Sequence, residues 1–469
     1  MPKTPIYLKS LELKNIRTFG EVTLNLEKED GSLPQWTLIL GDNGIGKSTL
    51  LQCAAWMKPN VPDPDDGRGD PIEMGDVEAN INNEENDTLV RLVRKTDNAK
   101  EDGSIRAKFV SERILNNESF SAESFCEQSI DIEISNGELE VFDTSFNTNK
   151  KEVFFKNEVI IYAYSASRKI GKQNIDKIEL QDTIPSFISD NTILYDAEEI
   201  LHTINYAAAA SPENEQEKYK TYLGKIKEVL VAVMPDFENV DDIIISPPQL
   251  INNRIQEIEI MINSKHGKKV PFKDYSLGYK TVASWVVDLS WRLINQYPQS
   301  PNPLSEPAIV IIDEIDLHLH PLWQRKIIDD LSHHFEKVQF IATAHSPIMV
   351  QSALGANYAV LRNGEGGVEL IREPTDVDGW QVDQILTSSF FGLKSSRGTK
   401  YEALLSERDK LAGKKTLNRK DKLKLKEITQ ELEDLNKYPS GETLEEIEDR
   451  KVISNLISEI RRNKIKIKI

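Results

Sequence analysis

With 469 residues, 29% of them charged, 39% hydrophobic and 7% aromatic, the chain has the composition of a globular protein and the length of one domain with a large insertion, or of two or three subdomains. Its net charge of −18 makes the surface as a whole repel nucleic acid and acidic membranes, so such contact needs a local basic patch; the terminal "RRNKIKIKI" reads as a solvated tail. Two cysteines, Cys53 and Cys126, outside any C-x-x-C, argue against a disulfide framework or structural zinc, and with no secretion signal or spanning apolar run the expected location is the cytoplasm.

From Ile6 to Leu26 the alternation in "IYLKSLELKNI" and "VTLNL" predicts two half-buried strands, and "WTLIL" (Trp36 to Leu40) predicts a buried one, with a helix after Gly46. Asn60 to Asp87, rich in Pro, Gly, Asp and Asn, reads as a surface loop or flap. The alternating stretches "TLVRLVRK", "SIRAKFVSERI", "SIDIEISNGELEVF" and "KNEVIIYAYSA" predict an antiparallel sheet continuing this lobe. A helical insertion follows, in "AEEILHTINYAAAA" and "EQEKYKTYLGKIKEVLVAVM", broken at Ser211 and Pro212. Strands resume in "DIIIS" and "IQEIEIMINS", then a turn, "YSLGYKT", opens a helix from Tyr279 to Asn295. "AIVIIDE" and "VQFIATAHS" are continuous apolar runs, the mark of central parallel strands. After Glu373 the chain is helical and charged, and a loose heptad at Leu425, Ile428, Leu432 and Leu435 predicts one arm of a helical hairpin. The expected division is an N-terminal lobe over 1–170, a helical insertion over 171–240, a C-terminal lobe over 241–375 and a helical partner-binding or oligomerisation region over 376–469.

"GDNGIGKST" (Gly41 to Thr49) leaves a buried strand and opens a helix, the setting a P-loop requires. Its candidate nucleotide contacts are Asn43, Gly44, Gly46, Lys47, Ser48 and Thr49: backbone N–H groups wrap a phosphate, Lys47 neutralises the β and γ oxygens of ATP, and Ser48 offers a hydroxyl to Mg²⁺. In "AIVIIDEID", Asp313 leaves the end of a strand as a second metal ligand, and Glu314 sits where a general base polarises the lytic water. His345, at the end of the next strand, is placed to hydrogen-bond the γ-phosphate. His318 and His320 share a face if extended, but with no third ligand nearby they read as packing or subunit-contact residues.

These elements, in this order, resemble the ABC-type ATPase heads of the structural-maintenance-of-chromosomes, Rad-fifty and RecF group. The resemblance implies an α/β fold: a P-loop ATPase head with a two-lobe mixed sheet, a short helical insertion and a helical C-terminal extension. It also implies that Arg17, in the Arg-x-Phe turn at Arg17 to Phe19, lies near the nucleotide, and that "YSLGYKT" is a degenerate signature loop. Ser276 and Gly278 would then meet the γ-phosphate held by another subunit's P-loop, making the protein a homo-oligomer, with Asp316 in the loop crossing between the two sites. The sequence departs from that group in having no clear glutamine at the lobe junction, where "YAYSASR" offers Arg168 either as a phosphate contact or as a surface charge, and no long coiled coil.

"DEIDLHLHP" followed by Gln324, with "TAHSP" downstream, is similar to the smaller ATPases of bacterial immunity loci, the PtuA-type Septu proteins among them. A built-in Toprim nuclease is not supported, because its only plausible acid pair, Asp376 and Asp378, lacks a preceding strand. The resemblance instead implies an anti-phage ATPase that gates a separate HNH endonuclease (PtuB-like), touching nucleic acid through that complex. The rival reading is a RecF- or Rad-fifty-like repair ATPase that binds DNA directly, and a third is a nucleotide-bound scaffold that hydrolyses almost nothing.

Overall fold

Alternating apolar residues at the N-terminus form β1 (Ile6–Ile16) and β2 (Phe19–Asn25), antiparallel in a register running from Ser10 opposite Asn25 to Ile16 opposite Phe19, with Leu8, Leu11, Leu13 and Ile16 fully buried. These belong to a computed structural model that describes residues 5–28, 30–57, 95–96, 99–100, 103–111, 127–135, 138–146, 159–170, 183–187, 193–194, 196–246, 250–251, 254–255, 259–265, 267–364, 367–372, 377, 379–393, 396–413 and 418–435. Most of "TLVRLVRK", the Asn60 to Asp87 flap, Cys126, Asp376, Asp378 and the basic tail lie outside the described residues.

The chain continues through β3 (Trp36–Gly41), α1 (Lys47–Trp56), β4 (Gly103–Ser111), β5 (Glu127–Ser135), β6 (Glu138–Phe146) and β7 (Ile161–Tyr164). Helices α2 (Ala197–Ala210) and α3 (Glu213–Val233) follow, then β8 (Ile243–Ile245), β9 (Ile260–Asn263), β10 (Lys269–Pro271) and α4 (Leu277–Gln296). After β11 (Ala308–Ile312) come α5 (Ile327–His334), β12 (Val338–Thr343), α6 (Pro347–Ser352), β13 (Asn357–Gly364) and β14 (Gly367–Arg372). Among the described residues eleven strands make one mixed sheet in the order β6-β5-β4-β1-β2-β14-β13-β3-β12-β11-β7, so the expected α/β architecture forms with both lobes on a continuous sheet.

The strands from β13 to β7 run parallel. β11 and β12 are buried at every residue, as their unbroken apolar runs require. One expectation is corrected here: "IIYAY" does not extend the antiparallel sheet but crosses to the far edge, pairing parallel to β11 with Ile309 opposite Ile161 and Ile312 opposite Tyr164. The physical reason is burial, since Ile161, Ala163 and Tyr164 are all inside and a one-sided meander strand would leave alternate residues wet. The helices α2 and α3 pack together and against α4. A buried ion pair pins α4 from within: Asp288 Oδ2 accepts from Arg292 Nε at 2.7 Å and from the Tyr164 hydroxyl at 2.9 Å, with Arg292 also over the Tyr162 ring.

The chain divides into two compact units, Met1–Asp378 and Gly379–Ile469. In the second, α7 (Val382–Thr387) precedes α8 (Thr399–Ala412) and α9 (Arg419–Leu435), and the last two form a hairpin through Leu411, Ile428 and Leu432, with Tyr401, Leu404, Leu405 and Leu425 partly buried against them. Leu435, counted in the predicted seam, is exposed.

Candidate active site

Because β3, β12, β11 and β7 are adjacent and parallel, their carboxyl ends open on one edge of the sheet, the place where open α/β sheets bind ligands. Four of the segments singled out from the sequence leave those ends: the P-loop after Gly41, the acidic pair after Ile312, His345 after Thr343 and Arg168 after Tyr164. Apart from the acidic pair and His345, which follow consecutive strands, these segments lie more than a hundred residues apart in sequence, so it is the strand order that brings them to one edge.

In the P-loop, Asn43, Gly44 and Ser48 are exposed, while Lys47 and Thr49 are buried. Gly44 (φ 76°) and Gly46 (φ 118°) lie in the left-handed region, and a Cβ on Gly46 would stand 2.8 Å from Phe19 Cζ and 2.9 Å from Thr18 Oγ1. The β1–β2 turn is thus seated directly on the loop. Thr18 Oγ1 donates to the Ile45 carbonyl at 3.1 Å, and Arg17 Nη1 donates to Thr49 Oγ1 at 3.1 Å. Lys47 Nζ folds back to donate to the carbonyls of Gly41 (2.7 Å) and Asp42 (2.9 Å), which bow the loop over it. Burial pushes the Lys47 ammonium below its usual range, opposed by Asp313 and then by Glu314, Asp42 and Asp316.

On the acidic side, Asp313 is buried and Thr343 organises it: the Thr343 hydroxyl donates to Asp313 Oδ1 at 2.6 Å and accepts the Glu314 N–H at 2.7 Å. Glu314 is half-buried with φ 50°, a left-handed conformation unusual for this residue type. His345 is half-buried, and its N–H donates to Asp316 Oδ2 at 2.9 Å, tying the turn after β12 to the turn after β11. Gln324 reinforces the tie: its Oε1 accepts from Ser346 Oγ at 2.6 Å and its Nε2 donates to the Leu319 carbonyl at 3.0 Å.

Arg168 is no surface charge. It is buried with 4% of its surface exposed, and Nη2 donates to the carbonyls of Asp313 and, at 3.1 Å, Glu314. Burial lowers its pKa to about 10, against the pull of Asp313, Glu314 and Asp316.

Ser276 occupies the N-cap position of α4, yet its side chain accepts no cap hydrogen bond and is exposed, as is Leu277 beside it. Ordinary capping therefore does not account for Ser276. The surrounding tyrosines are anchors: Tyr279 donates its hydroxyl to Asp236 Oδ2 at 2.7 Å and packs its ring, tilted by 46°, at 4.8 Å against Trp323, while Tyr275 packs between Phe272 and Tyr279. His320 is not in an extended strand but caps the one-turn helix Pro321–Gln324, its Nδ1 accepting from the Leu322 N–H at 3.3 Å, and His318 turns with φ 66°. Both are exposed, His320 as a helix cap and His318 as a turn residue, in place of the shared face that an extended segment would have given.

Sequence reasoning missed Thr343 and left Arg168 undecided. A hydroxyl closing a buried parallel strand beside an acidic turn was the available signal for Thr343, and an arginine in place of the absent glutamine was the signal for Arg168.

The hydroxyl of Ser48 and the carboxylate of Asp313, whose Oδ1 alone is engaged by Thr343, are hard oxygen donors of the kind Mg²⁺ takes when phosphates complete its shell. Residues 10–269, more than half of the chain, match the family described as AAA domain. The chain belongs to the AAA domain family. Among curated relatives, the Retron Vc95 probable ATPase of Vibrio cholerae serotype O1 biovar El Tor is 26% identical over 387 residues, covering 75% of this chain and 73% of that protein. The Septu protein PtuA of Bacillus mycoides (strain KBAB4) is 23% identical over 472 aligned residues, 98% of this chain. This chain spans 55% of that Septu protein's length. These matches bear out the Septu-type resemblance read from the motifs, and they make this member of the AAA domain family an ATPase by class. Among solved structures, an SMC head bound to the C-winged helix domain of ScpA aligns over 79% of this chain and 98% of that one, at 13% identity and a TM-score of 0.41. Among the described residues, no helix is long and apolar enough to cross a membrane.

Proposed function

We propose that this chain binds and hydrolyses ATP between two copies of itself, and that nucleotide occupancy sets the state of a separate HNH endonuclease in anti-phage defence. The observation that carries the hydrolytic part is the meeting of the P-loop, Asp313–Glu314 and His345 on the carboxyl edge of adjacent parallel strands. Asn43, Gly44, Gly46 and Thr49 shape the phosphate cradle, Arg17 braces it through Thr49, and Lys47 leaves its two carbonyls to meet the β and γ oxygens. Ser48, and Asp313 through water, would hold Mg²⁺, which when bound would supply positive charge to the phosphates. Glu314 takes the proton of the attacking water, and His345 senses the γ-phosphate.

The uncapped, exposed Ser276 supports the second subunit's part. With Gly278 buried behind it, the positive end of α4 is free to meet an anion on another molecule. Gating a nuclease in this way needs only about a few kcal/mol of differential ATP affinity between two states, so slow turnover suffices. The HNH partner is what the resemblance to Septu-type ATPases implies, and the Septu match supports that reading.

The test is complementation. Ser276→Arg and Lys47→Ala are each expected to be inactive alone and to regain part of the ATPase rate when mixed under subunit exchange, because hybrid sites pair an intact P-loop with an intact Ser276. No recovery in mixtures shown to exchange would remove the shared site. Tight, salt-sensitive DNA binding by the chain without a nuclease would return weight to the repair reading.

A further inference from the structure

Arg168 stands four residues past the end of β7, and its guanidinium is buried with only part of its hydrogen-bonding capacity met. Nη2 is satisfied by the Asp313 and Glu314 carbonyls, whereas Nε and Nη1 are buried with no partner among the described residues. Unmet donors on a buried cation are costly, so fold stability is a poor reason for this placement. The backbone at both ends of the contact is in the left-handed region, with φ 28° at Arg168 and 50° at Glu314. Non-glycine residues stay there only where their surroundings hold them.

The surroundings of Glu314 do so from two sides. Its N–H is taken by Thr343 Oγ1 at 2.7 Å, and its carbonyl accepts from Arg168 Nη2 at 3.1 Å. The single amino nitrogen Nη2 spans two successive carbonyls, which restrains the peptide plane between Asp313 and Glu314 and with it the direction in which the Glu314 side chain leaves the backbone. A lysine ammonium can also donate to two carbonyls, as Lys47 does, but its flexible stem lacks the rigid guanidinium plane that aims Nη2.

We infer that Arg168 is a positioning residue for hydrolysis: it holds the strained Asp313–Glu314 turn so that the Glu314 carboxylate meets the attacking water, and it does not serve to bind nucleotide. The inference rests on the reading of Glu314 as the base. It deepens that reading by naming the group that aims it, and it gives the arginine at the lobe junction a task other than touching phosphate.

The experiment measures ATP turnover and nucleotide affinity separately on the full chain, for Arg168→Gln, Arg168→Lys and Arg168→Ala, with thermal unfolding recorded for each. Loss of aim alone is expected to lower kcat about 100-fold in Arg168→Gln while affinity stays within about threefold. Arg168→Lys is expected to fall about tenfold, and methylguanidinium added to Arg168→Ala is expected to restore roughly tenfold of the lost rate. If Arg168→Ala does not fold, the kcat-against-affinity split in Arg168→Lys decides. Wild-type turnover in Arg168→Gln, or affinity lost in step with turnover, overturns the inference. Glu314→Gln is run alongside. Full activity there removes the base reading itself, whereas an inactive Glu314→Gln beside fully active Arg168 variants removes only the positioning role.

Discussion

Gly278 lies against the backbone of His318 with no room for a methyl group: a Cβ built on Gly278 would meet the His318 carbonyl oxygen at 2.8 Å and the His318 Cβ at 3.1 Å. The first turn of α4 and the turn that follows Asp313–Asp316 are therefore in direct contact, with the aromatic ring of Tyr279 on Trp323 closing the same joint. Whatever moves one of these segments is felt by the other. In Gly278→Ala the obstacle is a carbonyl, which cannot swing aside as a flexible side-chain tip could, so α4 must back away. The expected cost is about 1–3 kcal/mol of stability. Thermal unfolding reads the stability loss, and an ATPase assay is expected to show turnover falling further than nucleotide binding, since the P-loop is untouched. An unchanged Tm would mean that the joint gives easily.

Lys47 is held over the P-loop by the Gly41 and Asp42 carbonyls, with burial already weakening its charged form. Lys47→Ala removes the cation that the β and γ oxygens need and leaves the backbone cradle without a counter-charge. Affinity for a fluorescent ATP analogue is expected to fall by about 100-fold or more, a loss of roughly 3 kcal/mol. Retained tight binding would show that the phosphates sit elsewhere.

Glu314→Gln keeps the size and the backbone restraints from Thr343 and Arg168 while removing the base. Turnover is expected to drop by about 10²–10⁴-fold with ATP binding intact. Because the closed state is then not discharged, the ATP-bound oligomer should persist, which light scattering over the course of incubation would detect. Turnover at the wild-type rate would remove Glu314 from the chemistry.

Much of this site was legible because its chemistry demands local patterns. A P-loop needs its glycines and lysine in sequence, and a buried parallel strand needs an unbroken apolar run such as Ala308–Ile312 or Val338–Thr343. Long-range pairing was less legible. "IIYAY" is short and apolar, so its residues fit an antiparallel meander and a parallel edge equally well until Ile309 and Ile312 of β11 claim them. Arg168 illustrates the same limit: an arginine after a strand is most often solvated, and only the fold buries it under Asp313 and Glu314. Thr343 looked like one more β-branched strand residue, yet its hydroxyl joins the metal-ligand candidate to the base.

Asp330, in the first turn of α5, allows a prediction about pH. Its Oδ2 is buried with no hydrogen-bond partner among the described residues, and burial raises the carboxyl from 3.8 to about 6, with Asp329 adding to the effect while Lys326 and His333 oppose it. A position in a helix's first turn ordinarily favours an anion, so desolvation outweighs the helix dipole here. Between the unfolded value of 3.8 and the folded value of about 6, the folded protein keeps a proton that the unfolded chain has lost. Stability therefore falls as pH rises through that window and stays lower above it. Asp330→Asn keeps the shape and removes the charge, so it is expected to stabilise the protein at about pH 8 by roughly 1 kcal/mol, a modest figure because the side chain is only half-buried. The gain should vanish at about pH 4, where the wild-type carboxyl is protonated in the fold. Thermal unfolding of both proteins across that range gives the answer: Tm curves that converge toward acid support the assignment, and curves that stay parallel mean that Asp330 is not the source.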